Sequence, residues 1–336
     1  MDIKHVARLS ISSVLFGAIV SLVACTTINF KEPVTSYSSA MSTASAVFKD
    51  YYSQQNELAR KFYFTQLKYH KENYIQVRDE AGRPTALYFR YSPEGIKARQ
   101  DALGLITAFG NRLAIMAGAD SPQRISDSSG RILENYRGLS AEFGSLTGDE
   151  AKYKVEYAEG TEALTSALTK MYAEKVQNDA LMAAVKDGHA AVEKILLTLQ
   201  ADLKNMSATN QARVHTQLTD LAYIYNNDVD ARREGQKGSK AAKGVKAEPA
   251  SEALTESQRL DVLNQAQSSA VLYEGSVVNR PDGIVGAMLK ANDDLYAYAM
   301  NPKGDNALIA LNSSLEGLNA SIRPFFDYYA TSKGGN

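Results

Sequence analysis

The chain has 336 residues, and its 37 lysines and arginines nearly balance its 38 aspartates and glutamates. A formal net charge of −1 leaves no basic footprint for a polyanion, so we predict no nucleic-acid partner. One cysteine excludes an intramolecular disulfide, and the stability of the fold must therefore come from a packed core.

The first predicted element is a secretory signal at residues 1–24. Lys4 and Arg8 precede an apolar stretch from Leu9 to Ala24. A basic start followed by a short apolar segment and small residues is typical of such signals. The stretch falls short of the about 20 apolar residues that a membrane-spanning helix needs. An ordinary signal peptide with a chance cysteine at its cut site is the alternative.

The end of this stretch, Leu22-Val23-Ala24-Cys25, resembles the lipobox of bacterial lipoproteins. That resemblance implies cleavage just before Cys25, whose sulfur would carry a diacylglyceryl group, with acyl chains such as palmitate. Two acyl chains anchor a protein stably to a membrane. Thr26 follows the cysteine where inner-membrane lipoproteins tend to have Asp. The resemblance therefore implies an outer-membrane lipoprotein that faces the periplasm or the cell surface.

After a lipidated tether at 25–35, apolar spacing predicts an all-α, elongated antiparallel bundle of long helices. Apolar side chains recur three and four residues apart, which places them on one face of a helix. The clearest stripes run from Val34 to Phe62 with a gap at Gln55, from Val185 to Met206, and from Leu308 to Phe325. The predicted helices span 36–73, 93–118, 122–145, 149–175, 177–205, 208–232, 252–275, 284–299 and 305–323.

Local signals predict where several of these helices begin and end. Ser92-Pro93 offers an N-cap serine followed by proline at the first helical position. The helical spacing of the apolar stripe that ends at Met206 does not continue to the next apolar residues from Val214 onward. This break predicts a hairpin turn at 205–207. Pro324 is predicted to end the last helix, because its ring clashes with the carbonyl four residues earlier.

Residues 74–91 break the helical pattern. An alternating apolar and polar segment is followed by turn-forming residues and then by β-prone aromatics, which predicts a small β-hairpin. A bent loop between two helices is the alternative. Aromatic side chains beside arginine are typical of binding hot spots. We therefore predict that a partner surface includes Tyr88, Arg90 and Tyr91.

Residues 233–251 form a low-complexity segment of lysine, glycine and alanine. Its scarcity of apolar side chains predicts a flexible loop. This loop would join a helical bundle at 36–232 to C-terminal helices at 252–330 that complete the bundle. Its basic charge could alternatively contact anionic lipid or wall polymer.

The sequence offers few candidates for catalysis. The histidines are widely spaced without the H-E-x-x-H pattern, and no G-x-S-x-G nucleophile motif occurs. His189 lies on an apolar stripe, which favours a core histidine. We predict no catalytic residue, no metal site and no cofactor. The carboxylates of Asp293, Asp294 and Glu142 are the best enzyme candidates, because glycosidases work with two acids.

These features together predict a membrane-tethered periplasmic lipoprotein that acts as a non-catalytic interaction or scaffold protein of the cell envelope. Its partners would be the membrane, through the lipid on Cys25, and another envelope protein or wall polymer. The oligomeric state stays open. Two alternatives are a cell-wall polymer hydrolase that uses paired carboxylates and a membrane-active helical protein with a β-tongue at 74–91.

Overall fold

A computed structural model describes residues 30–69, 75, 77–78, 91–118, 136, 138–146, 148–173, 178–238 and 253–334. Helices make up nearly all of these residues. No strand occurs within these ranges, and the helices pack as a bundle, so the predicted all-α bundle is confirmed. Lys31–Asn336 form one compact unit.

The helices are, in chain order, α1 (Lys31–Tyr69), α2 (Pro93–Met116), α3 (Leu139–Gly144), a 3-10 helix (Gly148–Tyr153), α4 (Lys154–Ala173), α5 (Asn178–Gly238), α6 (Glu256–Val278), α7 (Pro281–Met300) and α8 (Asp305–Gly334). Helix α5 is central, because it packs against α1, α2, α4, α6 and α7. Helix α1 packs mainly against α2 and α8. In contrast, α6 has its main interface with α5 alone.

The predicted apolar stripe of α1 forms much of the core. Its members are buried, as at Val34, Tyr37, Met41, Phe48 and Tyr51. The helix begins at Lys31, so the last residues assigned to the tether are helical. The start of α2 is also as predicted: Ser92 Oγ accepts the backbone N–H of Gly95 at 2.9 Å, and Pro93 is the first helical residue.

The predicted turn at 205–207 is wrong, because α5 runs unbroken through it for 61 residues. The segment contains no proline or glycine, and Met206, Val214 and Leu221 are all buried. Eight residues advance a helix by about 80° beyond two full turns. The change of phase between Met206 and Val214 therefore reflects a rotation of the buried face around one continuous helix.

The predicted end of the last helix at Pro324 is also wrong, because α8 continues to Gly334. Proline removes one backbone hydrogen bond, but tertiary contacts hold the part of the helix that follows it. The ring of Phe325 lies 6.0 Å from Phe48 and 5.5 Å from Tyr51. Beyond it, the Tyr328 hydroxyl donates to the carbonyl of Leu272 at 2.7 Å.

The other boundary predictions are met in part. Helix α5 extends to Gly238, so residues 233–238 are helical and do not belong to a loop. Residues 239–252 lie outside the described residues, as do the signal, Cys25 and most of the predicted hairpin. The flexible loop at 239–251 and the hairpin therefore stay predictions.

Two glycines allow helices to approach closely. A Cβ on Gly188 of α5 would overlap the ring of Phe109 on α2. A Cβ on Gly275 of α6 would overlap the ring of Tyr328 on α8. At each glycine, the absence of a side chain therefore lets an aromatic ring of a neighbouring helix pack directly against the backbone.

Candidate functional site

The most polar part of the core is an ion pair between Arg99 of α2 and Asp202 of α5. Arg99 Nε donates to Asp202 Oδ2 at 2.6 Å, and the two residues are only 1 % and 3 % exposed. Nη1 of the same guanidinium donates to the carbonyl oxygen of Gly95 at 3.0 Å. Buried ion pairs are costly unless further hydrogen bonds satisfy their other polar atoms.

Three tyrosines enclose the pair and supply such bonds. The hydroxyls of Tyr52, Tyr91 and Tyr157 donate to the Asp202 carboxylate over 3.2, 3.4 and 3.5 Å. The guanidinium carbon of Arg99 lies 4.4 Å from the centre of the Tyr91 ring, which is a cation–π distance. We call Tyr52, Tyr91, Arg99, Tyr157 and Asp202 the Arg–Asp knot.

Hydrogen bonds to its backbone position Tyr91 in the knot. The side-chain amide of Asn56 on α1 clamps the Tyr91 backbone, with Nδ2 donating to its carbonyl at 2.8 Å and Oδ1 accepting its N–H at 2.9 Å. The next residue, Ser92, caps α2, which places Arg99 two turns further along that helix. The knot thus ties together α1, α2, α4 and α5.

The surroundings of the knot favour the protonated forms of its tyrosines and of Arg99. Burial, followed by the negative charge of Asp202, raises the pKa of Tyr52 and Tyr157 well above 10.0, so both hydroxyls stay neutral donors. Burial by itself would lower the pKa of Arg99, but attraction to Asp202 and further favourable interactions outweigh it and raise that pKa. These groups hold their protons near neutral pH, which suits a structural cluster better than an acid–base site.

A second region is built differently. Two cavities of about 400 and 510 Å³ lie between the second half of α1 and helices α5 and α6, with α8 closing the first. They share Lys61, Phe64 and Leu272 in their linings and therefore adjoin. Small-molecule sites have volumes of about 300–1,000 Å³. We call the smaller space the inner cavity, the larger one the outer cavity, and the two together the α1–α6 groove.

Sequence signals explain why helices fail to close over this groove. Gln55 interrupts the apolar stripe of α1, and the buried face of α5 rotates after Met206. The two interruptions meet, because Asn210 Nδ2 donates to Gln55 Oε1 at 2.6 Å across the inner cavity wall. Polar side chains thus replace apolar ones where α1 and α5 would otherwise interdigitate.

Two glutamines in the lining of the outer cavity each have a buried polar atom without a partner. Among the described residues, the Oε1 atoms of Gln217 on α5 and Gln265 on α6 are buried and accept no hydrogen bond. Both residues line the outer cavity, and Gln217 is only 7 % exposed. Gln265 Nε2 donates to Asp261 at 3.1 Å, which fixes the orientation of this amide because a carboxylate accepts only from nitrogen.

Helix α6, which forms one wall of the groove, is weakly embedded. Asp228 of α5 holds its start: Oδ1 accepts the backbone N–H of Leu254 at 2.7 Å, and Arg259 Nε lies 3.1 Å from Oδ2. Burial opposes the charge of Asp228, but a hydrogen bond from Arg232, the Leu254 amide and nearby arginines outweigh it and lower its pKa. This carboxylate therefore stays ionised and fixes the helix end.

The outward side of α6 carries an apolar stripe. Its members are Leu260, Leu263, Val271 and Val278, and the exposed fraction rises to 79 % at Val278. Their spacing of three, eight and seven residues keeps them on one side of the helix. We call these four residues the α6 stripe. Exposed apolar surface of this kind marks interaction sites when it is contiguous.

The structure places the sequence-predicted site residues in different settings. Tyr91 is 5 % exposed and belongs to the knot, so in this structure it presents no surface to a partner. Its prediction as a contact residue rested on its β-prone neighbours, whereas Asn56 and Arg99 hold it in the core. Tyr88, Arg90 and Cys25 lie outside the described residues, and their roles stay predictions.

The candidate carboxylates each face a basic side chain. Glu142 lies 3.1 Å from Lys97, Asp293 lies 2.8 Å from His189, and Asp294 lies 2.9 Å from Lys290. Glu142 is on α3 and the two aspartates are on α7, helices that do not form one of the main packing pairs. The structure therefore pairs each candidate acid with a basic side chain, and Asp293 with His189 in particular.

Sequence reasoning missed both Asp202 and the groove. Compared with family models, curated proteins and solved structures, the chain matches none of them. Within the described ranges, no cluster of three or more metal-ligating side chains occurs. The described helices also include none with the length and apolar character needed to span a bilayer.

Proposed function

We propose that this chain is a lipid-anchored, non-catalytic binding protein of the bacterial cell envelope. The lipobox-like Leu22-Val23-Ala24-Cys25 supports the location, at the outer membrane and facing the periplasm or the cell surface. The observation that carries the binding role is the α6 stripe, which exposes aliphatic side chains along one side of a helix.

The chemistry of the α6 stripe favours one kind of partner. Leu260, Leu263, Val271 and Val278 offer aliphatic contacts at helical spacing. Such a row fits between the side chains of another amphipathic helix, a recurring mode of recognition between proteins. The proposed partner is therefore an envelope protein that presents an apolar helix face to α6.

The Arg–Asp knot supports a scaffold role for the rest of the bundle. Arg99 and Asp202 are shielded from solvent, and their charges are compensated by each other and by tyrosine hydroxyls. This cluster offers no reachable group to a substrate. It cross-links four helices and so would keep the surface that carries α6 in a fixed shape.

The binding role is tested by cross-linking in intact cells. A photo-reactive amino acid at Val271 is expected to give one adduct of defined mass, and the same group at Lys204, exposed on α5, should give none. Adding Leu263→Asp should abolish the adduct. The matched control Ile309→Asp, an exposed aliphatic on α8, should leave it intact. Equal adducts at Val271 and Lys204, or insensitivity to Leu263→Asp, would overturn the proposed partner surface.

The anchor is tested separately. Cys25→Ser is expected to remove fatty-acid labelling and to leave the chain unprocessed or released from the membrane fraction. If the wild-type chain incorporates no labelled fatty acid, the envelope anchor is wrong, whereas the result at Val271 still stands on its own.

A further inference from the structure

We infer that the partner of α6 is a second copy of this chain, whose own α6 packs against the first in antiparallel orientation about a twofold axis. The inference rests on the proposed binding role and deepens it, because it names the occupant of the same surface. Three observations carry it: the spacing of the exposed residues of α6, the lack of charge along most of that face, and the position of its one acid.

Exposed residues of α6 follow the spacing of a two-stranded coiled coil. They recur alternately four and three residues apart and cover most of this 23-residue helix. At about 100° per residue, all of them lie within about 40° of one line along the helix. Alternating spacing of this kind forms the contact line between the helices of a coiled coil. We call these residues the α6 seam: Leu260, Asn264, Gln267, Val271, Glu274 and Val278.

The two sides of the α6 seam differ. On one side Asp261 pairs with Lys68 of α1, so this side faces the bundle of the same chain. On the other side Leu263 and Val277 are 44 % and 48 % exposed. A second helix therefore finds apolar contacts both on the seam and along its outer side.

The charge on this face restricts what can cover it. Glu274 is the one charged member of the α6 seam, and residues 262–273 carry no charge. Charged residues are depleted in the cores of protein interfaces. A helix that covers the seam removes the Glu274 carboxylate from water, which is costly unless that helix donates a hydrogen bond to it. The occupant must therefore carry a donor at the level of Glu274.

The α6 seam supplies that donor when it is paired with a copy that runs in the opposite direction. A twofold axis at the level of Ser269 sets the amide of Asn264, which has two N–H donors, opposite Glu274 of the second copy. The other layers of this register are Leu260 on Val278 and Gln267 on Val271. A parallel pair would instead set each Glu274 opposite its own copy, and like charges repel.

A charge cycle in the full-length chain tests this register. Asn264→Asp sets a carboxylate opposite Glu274 at two equivalent places and should weaken the dimer about fivefold, as two exposed like-charge contacts imply. Adding Glu274→Lys turns both contacts into ion pairs and should restore or tighten the dimer. Residues 264 and 274 lie about 15 Å apart along one helix, so this rescue cannot arise within a single chain.

Sedimentation equilibrium of the chain in a non-ionic detergent measures the dissociation constant. One helix face is smaller than a standard interface, so we expect a constant of about 1–100 µM. Asn312→Asp, at an exposed position of α8, makes the same change of charge away from the seam and should leave the constant unchanged.

Cysteine pairs test the orientation. Two differently tagged forms of the chain, one with Leu260→Cys and one with Val278→Cys, are mixed and mildly oxidised. We expect disulfides between the two forms and none between like forms, because a disulfide needs close Cα atoms and only the antiparallel register brings position 260 to position 278. The wild-type chain controls for disulfides of Cys25.

Photo-cross-linking from Val271 in intact cells separates this inference from the proposed function. An adduct with twice the mass of the chain is expected. An adduct with a different protein would overturn the second copy as the partner and leave the partner surface standing, whereas no adduct would overturn both. A chain that stays monomeric at about 100 µM, or a dimer that is unaffected by Asn264→Asp or is not rescued by Glu274→Lys, would also overturn the inference.

Discussion

The Arg–Asp knot and the α1–α6 groove are both polar interruptions of one helical bundle, yet they are built in opposite ways. In the knot, Asp202 accepts hydrogen bonds from Arg99 and from surrounding tyrosines. In the groove, Gln217 and Gln265 keep buried oxygens without partners. A satisfied polar cluster rigidifies a core, whereas an unsatisfied one weakens it unless another molecule completes it.

The knot and the groove also differ in how tightly the residues around them pack. Around the knot, Phe143 stacks on Tyr157 with ring centres 4.5 Å apart and planes 9° from parallel. Around the groove, cavities of about 400 and 510 Å³ separate α1 from α6. The comparison shows that buried polar residues in one bundle can be paired within tight packing or left unpaired beside unfilled volume.

The largest expected effect is unfolding at alkaline pH. Burial raises the pKa of Tyr52 and Tyr157 well above 10.0 and that of Tyr328 to about 12. A group whose pKa is raised on folding stabilises the fold fully below its unfolded pKa, and that contribution is lost as the pH rises through the folded pKa. Stability should therefore be constant up to about pH 10 and fall above it.

Circular dichroism of the chain against pH measures this loss. The comparison is sharpened by Tyr52→Phe, which removes a titrating group of the knot and should lessen the alkaline sensitivity. Tyr223→Phe, at an exposed position on α5, should not. A fold that melts at the same alkaline pH in all three proteins would contradict this origin.

The second effect breaks the knot itself. Asp202→Ala leaves the Arg99 guanidinium buried without its carboxylate, and breaking a buried pair this way costs about 3–5 kcal/mol of unfolding free energy. Urea denaturation measures it. Lys290→Ala, which breaks an exposed pair with Asp294, should cost below about 0.5 kcal/mol. A loss under about 1 kcal/mol at Asp202 would show that the knot is not a tight cluster.

The third prediction compares alanine substitutions at the two glycines that pack against aromatic rings. Gly188→Ala pushes a methyl group into Phe109, which is fully buried and has no room to move, so a loss of about 1–3 kcal/mol is expected. Gly275→Ala meets Tyr328, which is half-buried and lies beyond Pro324. The second ring can move aside more easily, so its cost should be smaller. Thermal unfolding that ranks the two variants in reverse would contradict the contrast.

The smallest effect has the opposite sign. Gln217→Leu removes a buried oxygen that has no partner, so the free energy of unfolding should rise by about 1 kcal/mol in the absence of ligand. Thermal unfolding measures this. Gln211→Leu is the matched control on the same helix, because its amide donates to the carbonyl of Ser276 at 2.9 Å and its removal should destabilise. Destabilisation by both would mean that Gln217 is already satisfied.

The sequence predicts helices well where local signals and packing agree. The apolar stripe of α1 and the Ser92-Pro93 start of α2 appear in the structure as predicted. Pro324 misleads because its local cost is offset by contacts of Phe325 with distant residues. Such offsets depend on tertiary packing, which spacing along the chain does not record.

The knot and the groove could be anticipated only in part. Asp202 is one acid among many in the sequence, and its burial depends on Arg99, which lies 103 residues away. The groove did leave a signal, namely the gap at Gln55 and the change of phase after Met206. That change of phase predicts a turn, because a break in periodicity indicates a discontinuity without specifying whether it lies in the backbone or in the packing.

The continuity of α5 has a mechanical consequence. Asp202 and Gln217 lie on the same rod, about 22 Å apart along its axis. A rod without a hinge does not bend locally when a neighbour pushes against it. Strain that arises at Gln217 must therefore be absorbed by the less embedded wall, α6, whose displacement would also move the aliphatic row on its outer side.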